Sequence, residues 1–162
     1  MTNLKELLEK ETQDLFSAET QLFDAMPNLT ASATHLVLKS FLEEQSNQTK
    51  IRIERLRMVT SLLECNPVGL KKCKGMKSAI KETNNLAALQ IDFQVKDAGL
   101  IGAMQRIIHY KIAGYGTSNQ YAKTLGLDEV SRVLVQSLDE EKKADKVLSE
   151  IAINEVNALA IK

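Results

Sequence analysis

Residues 36–63 read LVLKSFLEEQSNQTKIRIERLRMVTSLL, and this run decides the class of fold. Leu36, Leu38, Phe41, Leu42, Ile53, Leu56, Val59 and Leu63 fall at helical intervals along it, marking one apolar face. The helix is expected to start near Ser32 and to end at about Cys65, because Pro67 biases Asn66 away from helical geometry. Unbroken, it would be ~50 Å long at ~1.5 Å per residue.

Three further segments show the same periodicity. Upstream, Leu4, Leu8, Leu15, Phe16, Leu22, Phe23 and Met26 form a stripe over 4–26, with Thr2 or Asn3 as cap and Pro27-Asn28 as the expected break. Downstream, Ile101, Met104, Ile108, Ile112 and Tyr115 share a face over 97–125, closed by Gly126. A last helix is expected from Asp128 to about Asn157, through Val133, Leu134, Leu138, Leu148 and Ile151. The intervening 66–96 is weaker, broken by Gly69, Gly75 and Asn84-Asn85, with a short helix expected over 76–82. A connection this long can run from one end of a bundle to the other, so that the helices on either side of it lie parallel. The expectation is an all-α four-helix bundle with one long crossover connection carrying a short helix, as a single domain over 1–162.

Composition agrees. Only seven Gly and two Pro punctuate 162 residues, too little turn chemistry for many short strands. Twenty-one Lys plus Arg balance twenty-one Asp plus Glu, which argues against nucleic acid or an anionic membrane as the main partner. Lys71, Lys72, Lys74 and Lys77 form a local basic run, read as a solvated loop. No apolar run approaches the ~20 residues that span a bilayer. The first residues lack the pattern of a secretory leader, and Cys65 and Cys73 read as reduced thiols, so a cytoplasmic location is expected. No Gly-x-Ser-x-Gly turn, phosphate-cradling glycine loop or Cys-His arrangement supports hydrolytic or nucleophilic catalysis.

Several polar residues nevertheless fall on apolar stripes. At ~100° per residue, Glu19 points with Leu15, Phe16, Leu22 and Phe23. Gln45, Thr49 and Arg52 lie within the stripe of 36–63, with Gln48 at its edge, and Glu141 and Asp145 share the face of Leu134, Leu138 and Leu148. A carboxylate in an apolar core needs a cation or a metal. Glu19, Glu141 and Asp145 lie near mid-helix and could meet at one level, as acids do in carboxylate-bridged di-metal bundles. Equally, they could sit at stripe boundaries and be wet. There is no Glu-x-x-His pair, and His35 and His109 occur singly.

The ordered segments 14–22 (DLFSAETQL), 73–76 (CKGM), His109-Tyr110 with 112–117 (IAGYGT), 138–145 (LDEEKKAD) and 151–157 (IAINEVN) resemble the YciF-type stress-response family over nearly the whole chain. The resemblance implies a bacterial, ferritin-like fold, a homodimer and no established reaction. It aligns Glu19, Glu141 and Asp145 with the family's acids. Elsewhere the chain departs: Gln45 to Thr49 replace a His-Leu-Glu-Glu-Thr pattern, Arg52 stands where a Gln or His is usual, and Ile108 and Lys111 replace two acids. The expectation is therefore a non-catalytic stress-response protein with a degenerate di-metal site. Arg52 would neutralise the acids, no resident cofactor is expected, and the protein would act as a homodimer without nucleic acid or membrane. The alternative is an iron or manganese carboxylate oxidoreductase or metal-binding protein, with Glu19, Glu141 and Asp145 as a vestigial or single-metal set.

Overall fold

The computed structural model describes residues 1–69 and 71–161; Leu70 and Lys162, the latter closing the expected 1–162 span, lie outside the described residues. The described residues form helices α1 (Leu4–Ser32), α2 (Leu36–Leu62), α3 (Lys74–Ala87), α4 (Phe93–Thr124) and α5 (Asp128–Ile151), then a π turn (Ala152–Val156) and a 3-10 turn (Asn157–Ala160). No strand occurs among them. None of these helices is long and apolar enough to cross a membrane.

Cross-helix contacts give the topology. Arg55 of α2 reaches Ser137 and Glu140 of α5, while Arg52, a turn earlier, reaches Glu141, so α2 and α5 run in opposite directions. Gln105 meets Ser149 and Asn119 meets Ser131, so α4 also opposes α5. The helices α2 and α4 are therefore parallel, and the connection bearing α3 is the expected crossover. The chain is a ferritin-like four-helix bundle.

Element ends differ from the sequence expectations for local reasons. Asn3 caps α1 by accepting from the Glu6 amide at 2.9 Å, as expected. Pro27 does not end that helix. It forfeits one backbone hydrogen bond, but Leu29 extends the buried stripe by another turn. The break falls at Ala33, whose backbone is extended. There the buried Asp97 carboxylate accepts from the Thr34 and His35 amides at 2.9 and 2.8 Å and from the Thr34 hydroxyl at 2.6 Å. This clamp delays α2 to Leu36. The same helix stops early because Glu64 adopts a left-handed φ of 59° and the Cys65 amide reaches back to the Thr60 carbonyl.

The crossover helix is twice its expected length, because Cys73 caps it and Asn84, hydrogen-bonded to Asn28, lies inside it. Asp92 caps α4 by accepting from the Gln94 and Val95 amides, starting it four residues before Asp97. Gly126, at φ 69°, supplies the left-handed turn that ends the α4–α5 hairpin. Leu127 holds the cap position of α5, and Asp128 is its first helical residue.

The core has two parts. One comprises Leu22, Met26, Leu42, Met104, Ile108 and Leu148, among others. The other includes Leu8, Leu15, Leu56, Tyr115, Leu134 and Leu138. Where these two sets meet, each long helix contributes a buried charged side chain.

Candidate functional site

Each long helix delivers one charged side chain to the level between the two half-cores: Glu19 from α1, Arg52 from α2, Lys111 from α4 and Glu141 from α5. All four are at most 1% exposed. They reach the interior because each occupies a core-facing position in the stripe of its own helix.

Lys111 is the hub. Its Nζ donates to Glu141 Oε1 at 2.6 Å and to Glu19 Oε2 at 3.4 Å. The Tyr115 hydroxyl, one turn further along α4, donates to the other Glu19 oxygen at 2.9 Å. Arg52 approaches Glu141 from the opposite side, its Nη1 2.9 Å from Oε1. That contact is an ion pair without an aligned hydrogen bond, since both Nε and Nη1 lack a hydrogen-bond partner. Arg52 Nε also lies 3.5 Å from Glu140, which Arg55 holds more tightly at 2.7 Å. Two buried acids thus face two buried bases, and the layer is neutral.

Burial raises the Glu19 carboxyl above its ordinary range, opposed chiefly by Lys111 and reinforced by the neighbouring Glu141. Burial likewise drives the Tyr115 phenol well above its usual value, with Glu19 and Glu141 adding to the effect. Tyr115 therefore stays a hydrogen-bond donor across the physiological range. Thr49 completes the α2 side of the layer, fully buried, with its hydroxyl unpaired.

The expected triad is not assembled. Glu19 and Glu141 converge through Lys111, but Asp145 lies on the bundle flank, where its Oδ1 sits 3.0 Å from His109 Nε2 and accepts from Gln105 Nε2 at 3.5 Å. Its side chain is 28% exposed. Four residues of helix rotate it ~40° from Glu141, enough to leave the interior for the α4 side. Arg52 does meet an acid, as its position suggested, and that acid is Glu141. The share taken by Lys111 and the Tyr115 hydroxyl is larger than sequence alone indicated. Tyr115 reads as an ordinary apolar-face residue, and only the presence of an unmatched Glu19 on the same level signals a use for its hydroxyl.

No group of three or more His, Cys, Asp or Glu side chains converges on one point among the described residues. The basic run is exposed at Lys71, Lys72, Lys74 and Lys77, and Cys65 and Cys73 are both free. Cys73 Sγ lies 2.9 Å from the Tyr110 hydroxyl, which donates to Asp14.

The sequence profile of DUF892, a domain of unknown function, matches residues 3–161. Protein YciF of Escherichia coli K12 is 34% identical over 147 residues, covering 91% of this chain and 89% of YciF. The crystal structure of that species' stress protein YciF superposes with a TM-score of 0.89 at 32% identity, covering 97% of this chain and 99% of the other. YcfI of Rhodopseudomonas palustris gives a TM-score of 0.88 at 34% identity, over 92% and 94% of the two chains.

Proposed function

We propose that this chain, which belongs to the DUF892 family, is a non-catalytic member of the YciF-like stress proteins, in which an ion-pair layer stands in place of a di-metal centre. The observation that carries the reading is Lys111 Nζ, set between Glu141 at 2.6 Å and Glu19 at 3.4 Å. An ammonium there occupies the donor oxygens that a metal would need. A di-metal carboxylate centre draws acids from all four helices, two of them adding a His. Here α2 offers Gln45, Thr49 and Arg52, and α4 offers Ile108 and Lys111. Fixed cations among the ligands would also repel a divalent ion. The residues present do not fit such a centre, and the loss of Asp145 to His109 leaves the oxidoreductase reading with two interior acids.

The function that remains is structural or associative. Exposed apolar residues along the outer face of α2, Ile51, Met58 and Leu62, suit contact with a second copy of the chain. Metal analysis after expression in medium supplemented with iron, manganese or zinc tests the central claim. Far less than one metal per chain is expected, and two tightly held metals per chain would overturn it. Light scattering should report a dimer; a monomer at all concentrations would remove the associative part.

A further inference from the structure

The polar layer is open on the side where α2 meets α5. A hollow of about 280 Å³ reaches inward there, just below the ~300–1,000 Å³ common for small-molecule sites. Its inner wall holds Arg52, Gln45 and Phe41, all buried, and its rim carries Glu44, Glu140 and Lys143. Arg52 is 1% exposed, yet its Nε and Nη1 have no hydrogen-bond partner. Gln45 lines the hollow beside it, and Oε2 of the adjacent Glu141 is also unmet. Arg52 faces its carboxylates without an aligned hydrogen bond, so its donors keep capacity for a further acceptor in the hollow.

The chemistry of that acceptor follows from three features. A guanidinium beside a carboxamide matches the two oxygens of a carboxylate. The layer behind them is already neutral, so a bare anion would leave unbalanced charge at a buried position, whereas a zwitterion adds none. At the mouth, Arg55 and Arg52 already draw on Glu140, but Glu44 is held only by the Gln48 amide at 2.7 Å. Glu44, on the same rim as Lys143, is therefore the acid left to take an ammonium. Phe41 supplies an apolar wall beside these groups.

We propose that this hollow binds a small aliphatic amino acid. Its carboxylate would lie on Arg52 and Gln45, its ammonium on Glu44 and its side chain against Phe41. The assignment rests on the metal-free reading of the polar layer. Titration calorimetry on the full chain tests it with L-leucine and its two halves, 4-methylpentanoate and 3-methylbutylamine. L-leucine should bind saturably at one per chain, and each half should bind at least ~10-fold more weakly, the loss of about one ionic contact. Gln45→Leu and Glu44→Gln should each weaken L-leucine ~10-fold or more while leaving Arg52, and with it the fold, in place. No saturable heat from L-leucine overturns the proposal, as does equal binding to both variants; a hollow filled by water alone gives the first result. Metal content measured on the same sample separates the two failures. Metal-free protein that ignores L-leucine removes only this site, whereas metal-loaded protein removes the reading beneath it.

Discussion

Replacing Lys111 by Met removes the hub of the buried layer while nearly preserving its volume. The two contacts of Nζ, at 2.6 and 3.4 Å, are worth roughly 6 and 5 kcal/mol gross at an effective dielectric of about 20. Desolvation of the ions offsets most of this, but in the variant Glu19 and Glu141 stay buried with Arg52 alone. Removing one partner of such a pair destabilises by about 3–5 kcal/mol. For a chain of this length that lowers Tm by about 6–20 °C. Urea unfolding with an unchanged m-value is the assay.

The pH dependence carries the sharper test. The Glu19 carboxyl is raised above its ordinary 4.5, mainly by burial. Its ionisation therefore opposes folding: stability is highest below the unfolded pKa and falls as pH rises through the raised folded one. Lys111 is the chief influence holding that value down, so its loss widens the window. The deficit of Lys111→Met should be greatest near neutrality and shrink toward about pH 5. Adding Glu141→Gln restores a neutral layer and should recover part of the loss. A deficit below about 1 kcal/mol, or one equal at both pH values, would refute the argument that Lys111 balances these acids.

Other perturbations test the scaffold. Pro27→Ala restores a missing backbone donor within α1 and should raise stability by about 1–3 kcal/mol in the same urea assay. Gly75→Ala places a Cβ 2.7 Å from the Tyr110 ring and should lose about 1–3 kcal/mol. Gly102→Ala meets only Arg106 Nη1 at 3.8 Å and should gain about 0.5–1 kcal/mol. Asp97→Ala removes three hydrogen bonds from the α1–α2 connection and should cost about 2–4 kcal/mol, with faster amide exchange at Thr34 and His35.

The four long helices were legible because stripe periodicity survives in each, and the crossover because the weak stretch between them is long; Asn3 and Gly126 mark boundaries by local chemistry alone. Pro27 misled because a proline signals only a lost donor, while the apolar turn beyond it decides whether the helix continues. The clamp by Asp97 was invisible, since its partners lie more than sixty residues away in the chain. At the candidate site, Glu19, Arg52 and Glu141 were readable as polar residues on apolar faces. Asp145 was not separable from Glu141 by the same criterion, because a ~40° rotation is smaller than the width of a stripe. Only the packing of α4 against α5 assigns one acid to the interior and the other to the flank.

The neutral layer also acts on alignment. It parts two apolar half-cores that would, by themselves, accept one another in many vertical offsets, since Leu, Ile and Met pack alike from turn to turn. Slide any one helix by a turn, ~5.4 Å, and its charged residue enters hydrocarbon while at least one of the others loses a partner. The layer thus works as a latch on the stagger of four helices, the use to which a lone polar position is put in a coiled coil. Four buried charges would here hold the helices in step.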